Sequence, residues 1–466
     1  MNYVFQVREW TIDFYIHLEK ELTNKDKNVS ILWLSMTKAP FNELKKLNKK
    51  VYYLPKLFET YSVDRNDSNV QKLDNFIFEK YGYGIQFLFE MERFKPGAYE
   101  NNKFINGHVN TLMEIFPKKA KMISLTCDHF IFFISAYVNK LKQGENYFIQ
   151  PIGFPQNAQV ILNNPWDLHH FRAKPLTAKP LNEYIESLDL DPKVSIHYMK
   201  PKNLIPLKHS IIKRVKDLTI NKTKDSIFTY LEPKTDNIIP SRILQKRKIN
   251  YKFDYLQETD IKELVNNCNL FYFPLQFEPE MSILAYSPWY KDQLEVIRLI
   301  SQSLKSGDFL LLKENPKMIG KRARKFYDYI SSFKNVKWAD PDMNSRQIIR
   351  NSFKVISITG TATIEAACLG INSLIFGRPP FRDLLVERPV EEQPLHNLIK
   401  ILYKEYSKEE IIENVHKKWS EFSKSLFFGD FTPTIIGNKL SINNYDEHSQ
   451  AFSNEVLLET NSSQIK

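Results

Sequence analysis

Between residues 270 and 377, strand-length apolar runs and helix-length amphipathic runs take strict turns. LFYFPLQ, DFLLLKENP, NVKWAD, KVISITG and NSLIFG read as strands. WYKDQLEVIRLISQSL, KRARKFYDYISSF, NSRQIIRNS and TATIEAACLG fall between them and read as helices. Strict alternation with short connections leaves few solutions. The economical one is a doubly wound parallel sheet with helices on both faces.

The first segment reads as a second unit of the same kind. YVFQV is strand-like, Thr11 is placed to cap a helix through IDFYIHLEKEL, and VSILWLSMT is a second buried strand. Arg8, Glu9 and Trp10 then fall at the carboxyl edge of that sheet, where open α/β sheets bind ligands. ENYFIQPIGFPQNAQVILNNPW suggests a strand followed by a long loop. A basic helical stretch at about 205–255 reads as the inter-domain region. LHNLIKILYKEYSKEEIIENVHKKWSEFSKSL closes the second unit with helix. The expected division is an N-terminal domain at 1–225, a C-terminal domain at 226–436 and a mobile polar tail at 437–466. A length of 466 residues agrees with two domains.

The net charge of +11 raises nucleic acid, anionic lipid or a phosphorylated substrate as partners. No nucleic-acid-binding signature accompanies it, so nucleic acid is not expected. The clusters KKLNKK (45–50), KRVK (213–216) and QKRKINYK (245–252) read first as solvated surface. Their second reading is peripheral contact with the inner face of a membrane. Cys127, Cys268 and Cys368 are odd in number and far apart, which suits a reducing compartment. The N-terminus carries charges where a signal peptide needs an apolar core. MISLTCDHFIFFISAYV (122–138) is interrupted by Asp128 and His129 and reads as a buried helix rather than a span. A cytoplasmic location is expected.

The chemistry gathers at three loops. Gly360 stands between KVISIT and a helix-like run and offers a sharp turn and a close approach to backbone. Thr361 is placed to cap that helix. The N–H groups of Ala362, Thr363 and Ile364 would then meet an anion, with Thr359, Thr361 and Thr363 adding hydroxyls. Glu365, four residues past Thr361, is off register for a capping box. It reads either as a partner for a ligand hydroxyl such as a ribose or as a complement to the helix dipole. The alternative for the whole motif is a tight structural turn. Neither GxGxxG nor GxxxxGK[ST] is present, which argues against dinucleotide oxidoreductases and P-loop NTPases.

The loop FPLQFEPEMS (273–282) offers Gln276, Glu278 and Glu280, and LLKENPKMIGKR (311–322) offers Lys313, Glu314 and Asn315. Arg322 and Arg324 read as additional positive charge or as a solvated helix face. Three loops after three strands of one sheet, all polar, define the candidate site.

YFPLQFEPE, LLKENPKMIGKRARKFY and ITGTATIEAACLGINSLIFG, in this order, resemble the capsule polysaccharide biosynthesis family over residues 270–377. A fainter likeness covers NNKFINGHVNTLMEI and NYFIQPIGFPQNAQVILNNPW. The family's members are GT-B-type glycosyltransferases and include the Kdo transferases of capsule assembly. The resemblance implies an α/β, GT-B-like fold, two Rossmann-like domains facing each other across a cleft. It implies a nucleotide-sugar donor, CMP-Kdo being one, held by the C-terminal domain, and a glycan or glycolipid acceptor held by the N-terminal one. The family reads Lys-Glu-His-Pro where this chain has Lys313-Glu314-Asn315-Pro316; Asn315 donates a hydrogen bond but brings no charge.

Fixed donors at the helix start would stabilise the leaving phosphate, so neither a metal nor a cofactor is expected. The DPD at 340–342 reads as a turn. An inverting reaction needs a base from the N-terminal domain, with Glu9, Glu90, Glu92 and Asp128 as candidates. His169 and His170 lack the spacing of a zinc site and read as loop histidines. Three functions remain in view: a glycosyltransferase of surface polysaccharide, a nucleotide-sugar 2-epimerase or polyol-phosphate transferase of GT-B-like fold, and a non-catalytic scaffold that binds glycan or export machinery.

Overall fold

The computed structural model describes residues 1–35, 37–54, 67–84, 103–125, 130–155, 157–171, 180–189, 254–278, 283, 286–287, 289–315, 318, 322–431, 433–436 and 439–457. They fall into two α/β units. The described residues of 1–178 and 424–466 make most of one, and those of 179–202 and 238–423 make the other. The expected boundary at 225/226, and the basic clusters at 213–216 and 245–252, lie outside the described residues.

In the first unit, β1 (Asn2–Val7), β2 (Ser30–Ser35), β3 (Val51–Tyr53), β4 (Lys121–Leu125) and β5 (Glu145–Pro151) run parallel. Their spatial order is β5-β4-β1-β2-β3. The chain steps outward from β1 to β3 and then crosses to the other side of β1, so a switch point lies between β1 and β4. β6 (Ala158–Asn164) and β7 (Asp167–Phe171) extend the sheet antiparallel.

Alternation along β1 sends Phe5 and Val7 to one face, where Phe14, Tyr15, Leu18 and Leu22 of the helix Ile12–Lys25 meet them. That spacing of three and four residues is the apolar stripe of an amphipathic helix. Each large side chain enclosed this way contributes about 2 kcal/mol. Thr11 occupies the N-cap position, but its hydroxyl bonds the Arg8 backbone instead of capping the helix.

Two readings of this region change. The run 122–138 is the strand β4 and then the helix Phe130–Leu141, with 126–129 outside the described residues. The long loop after β5 is a short connection into β6, and His169 and His170 stand in β7. β4 and the helix after it are both mainly apolar, and periodicity cannot separate a buried strand from a buried helix.

The second unit follows the alternation closely. β8 (Tyr255–Leu256), β9 (Leu270–Pro274), β10 (Phe309–Lys313), β11 (Val336–Ala339), β12 (Lys354–Ser357) and β13 (Ser373–Ile375) form one parallel sheet in the order β13-β12-β9-β10-β11-β8. Phe271, Phe273, Leu310, Leu312 and Ile356 pack on one face against Val296, Ile297, Ile300 and Phe326. Leu270, Tyr272, Leu311 and Val355 pack on the other against Ile348, Ile349 and Ala366. Burial on both faces is why these strands read as continuous apolar runs. The chain steps from β9 through β10 to β11, then returns to place β12 on β9's free side, which opens a switch point between β9 and β12.

The last segment returns to the first unit. β14 (Leu426–Phe428) pairs antiparallel with β6, and β15 (Pro433–Ile436) pairs with β16 (Lys439–Ile442). The helix Tyr445–Phe452 and the turn Ser453–Leu457 follow. Ile442, Phe452 and Leu457 are buried with Phe14, Tyr15 and Tyr147. The expectation of a mobile tail from 437 is thus corrected as far as 457: a few apolar residues in a polar stretch complete a core. Among the described residues no helix is long and apolar enough to cross a membrane.

Candidate functional site

The switch point of the second sheet gathers the predicted loops. Gly360 follows β12. Its N–H donates to Ser357 Oγ at 2.7 Å. Its φ lies outside the left-handed region, so handedness does not require glycine here. Space is tight on one side: a Cβ would sit 3.2 Å from Ser357 Oγ, close enough that the serine would have to give by a few tenths of an ångström, and in ordinary contact with Gln276 Cδ at 3.8 Å.

The three threonine hydroxyls all have partners within the chain. Thr359 Oγ1 accepts from Gln276 Nε2 at 2.9 Å, and the Thr359 N–H donates to Gln276 Oε1 at 3.1 Å. The Thr363 hydroxyl donates to Gly360 O at 2.9 Å, and Thr363 is fully buried. Thr361 stands at the N-cap of Ala362–Cys368, but its hydroxyl donates to Glu365 Oε1 at 3.1 Å and makes no cap bond. The expected Thr361 cap is therefore absent: the Thr361 backbone is already helical, at φ -64° and ψ -18°, where a capping residue is extended so that its oxygen can accept from the first turn. Burial pushes the Glu365 carboxyl above its usual range, while the Thr361 hydroxyl and then Arg346 pull it back.

After β9, Gln276 is held twice. Its N–H donates to Gln293 Oε1 at 2.7 Å, and Gln293 Nε2 donates to its carbonyl at 3.1 Å. The carboxamide is left to span from β9 to β12 and grip Thr359.

After β10, Glu314 is almost fully buried and accepts four bonds. Arg322 Nε reaches both oxygens at 3.1 Å, the Tyr327 hydroxyl donates at 2.9 Å, and the Asn315 N–H donates at 2.9 Å. Arg322 also bonds Glu278 and, through Nη2, Gln276 O at 2.6 Å. Its side chain is 3% exposed, so the reading of a solvated helix face is corrected for Arg322. Arg324 does sit in solvent, 83% exposed beside Asp328.

Lys313 ends β10 and is 5% exposed. Strand alternation puts it on the sheet face of Leu311, the face that also carries Ala366 of the helix Ala362–Cys368. Burial lowers its pKa, offset by Asp342 and Asp340. Those two acids lie in a turn in which Asp340 Oδ1 accepts from the Asp342 N–H at 2.8 Å.

The acid candidates for a base divide. Glu9 lies exposed in the turn Glu9–Thr11 at the carboxyl edge of the first sheet. There the Arg8 guanidinium stacks 4.8 Å from the Phe132 ring centroid. Glu90, Glu92, Asp128 and Glu280 lie outside the described residues. Among the described residues no three His, Cys, Asp or Glu side chains gather as metal ligands would.

Three residues of this network escape sequence reasoning: Gln293, Tyr327 and Arg322 in its clamping role. Gln293 could have been noticed as a polar residue directly after the helix-capping Asp292. The others read as ordinary helix surface.

Fold and site together define a two-unit α/β chain whose second unit carries a polar switch point. No protein-family model matches the chain, and no curated protein matches it. Several solved structures resemble it. KpsC of Thermosulfurimonas dismutans, a beta Kdo 2,7 transferase, is 14% identical, with 75% of this chain and 89% of that one covered and a TM-score of 0.32. The UDP-GlcNAc 2-epimerase of Neisseria meningitidis, solved with UDP-GlcNAc, is 13% identical over 90% and 98%, with a TM-score of 0.23. HepE of Anabaena, solved with UDP-glucose, is 11% identical over 91% and 95%, with a TM-score of 0.27. Likeness at this level carries no argument about function, and the fold stands on the sheets themselves.

Proposed function

We propose that this chain is a glycosyltransferase of capsular or surface polysaccharide biosynthesis, moving a sugar from a nucleotide-activated donor to a glycan or glycolipid acceptor. The observation that carries the reading is the convergence of the β9, β10 and β12 loops at one switch point, with Gln276 tied to Thr359 across it. The motifs of residues 270–377 that resemble the capsule family are these same loops.

In this reading the turn at 359–363 receives the donor phosphate. The ammonium of Lys313, which makes no hydrogen bond or ion pair among the described residues, supplies the positive charge. Glu365 accepts from a ribose hydroxyl in exchange for Thr361. Charge that develops on the departing nucleotide would meet groups already in place. CMP-Kdo is the finer proposal for the donor. Metal-independent transfer, with Glu9, Glu92 and Asp128 as the candidates for a base, is the finer proposal for the chemistry. A cytoplasmic location against the inner membrane face completes the reading.

Calorimetric titration with CMP, UDP, GDP and CDP tests it, repeated on Thr361→Ala and Glu365→Ala. Binding of one nucleotide, weakened in both variants, supports the donor site. Binding of none removes the transferase reading and moves the scaffold to the front.

A further inference from the structure

We propose that Arg322 is a positioning residue of this nucleotide site, clamping the β9 and β10 loops so that the Gln276 carboxamide is held against Thr359. The inference rests on the functional reading above. Arg322 stands just before the helix Arg324–Ser331, where a basic run suggests a ligand-facing charge. Its guanidinium is turned inward instead. Nε bonds both oxygens of Glu314, Nη1 bonds Glu278, Nη2 bonds Gln276 O, and the plane lies 4.6 Å from the Phe326 ring centroid. Glu278 and Gln276 belong to one loop and Glu314 to the next. Gln276 passes the restraint on to Thr359, beside Gly360. One side chain thus links the carboxyl-edge loops of three strands.

Charge accounting agrees. Arg322 is committed to two carboxylates, so it has no net charge left for a ligand anion. Lys313 is left with that task. Loss of Arg322 would cut the tie between the Gln276 and Glu314 loops, leave Gln276 to its bonds with Gln293 and Thr359, and leave two carboxylates uncompensated in the same loops. Lysine at 322 would restore charge but not the planar fork that reaches three partners. The titratable and charged groups around the clamp are Glu278, Lys313, Glu314, Tyr255 of β8, Tyr327 and Asp340.

The test is calorimetric binding, at neutral pH, of the nucleotide that the wild type prefers among CMP, UDP, GDP and CDP, on wild type, Arg322→Gln, Arg322→Lys, Arg324→Gln and a triple variant that joins Arg322→Gln to Glu278→Gln and Glu314→Gln. Circular dichroism confirms that each is folded. Expected is a loss of about tenfold in Arg322→Gln. Partial recovery should follow in the triple variant, where no uncompensated carboxylate remains. A smaller loss is expected in Arg322→Lys, and none in Arg324→Gln, the same charge change in solvent. A merely structural role would give no recovery in the triple variant. Wild-type affinity in Arg322→Gln, or a loss without recovery, overturns the inference and leaves the transferase reading standing. Should Arg322→Gln fail to fold, Arg322→Lys decides: unchanged affinity overturns the clamp. A wild type that binds no nucleotide removes both.

Discussion

Lys354, the first residue of β12, is 1% exposed, and its ammonium donates to Ile401 O at 2.9 Å and Lys404 O at 2.6 Å. It closes the end of the helix Leu398–Leu402, where the last carbonyls lack helical partners. Burial lowers its pKa from 10.5 to about 8, offset by Glu387 and Glu405. The unfolded chain therefore holds more protons at this site between about pH 8 and 10.5, so stability rises with pH across that window. At about 1.4 kcal/mol per pH unit, the gap corresponds to about 3 kcal/mol as an upper figure. Lys354→Met keeps most of the volume and removes the titration. It also leaves the Lys404 carbonyl without its ammonium partner, at about 1–3 kcal/mol, while the Ile401 carbonyl keeps the Lys404 N–H at 3.3 Å.

Urea unfolding of wild type and Lys354→Met at about pH 7, 8, 9 and 10 separates the two effects. The variant's lost hydrogen bonds shift every point equally. Relative to the variant, the wild type should gain stability from about pH 8 upward; Lys121 and Lys313, whose pKa values burial also lowers, titrate in both proteins and cancel in the difference. Buried Tyr272 and half-buried Tyr403 have raised pKa values and lower stability at high pH in both proteins, so they cancel in the difference. A difference between the curves that stays flat from pH 7 to 10 would refute the burial argument.

Truncation after residue 437 should unfold the first unit, because burial of Ile442, Phe452 and Leu457 contributes about 2 kcal/mol each and a domain has only about 5–15 to lose. A truncated chain that keeps the wild-type melting temperature would contradict the packing described. Gly360→Ala should cost about 1–2 kcal/mol, because the new methyl meets a Ser357 side chain already held by the turn. Thermal melts measure it, and a neutral or stabilising result would show that Ser357 can move aside.

Much of the second unit was legible along the chain. Its strands are buried on both faces and its helices on one, so continuous apolar runs and amphipathic runs alternate cleanly from Leu270 to Ile375. The first unit was legible where β1, its helix and β2 repeat that pattern. It was not legible at 122–138, where strand and helix are both apolar, nor beyond 437, where polar composition outweighs a few core residues. At the site, the positions of Gln276, Lys313, Glu314 and Gly360 after strands were readable, but their partners were not. Glu314 and Arg322 read as a ligand contact and a surface charge, yet they bond each other.

The order of strands and helices, and the polar loops that end the strands, follow from local patterning that any short window of this sequence contains. Tertiary structure alone decided that β12 returns beside β9, that residues 426–457 complete the first unit's core, and which charges neutralise each other. These are pairings between residues tens to hundreds of positions apart. Sequence fixes which groups are present, but only the closed fold sets which of them come within hydrogen-bonding distance.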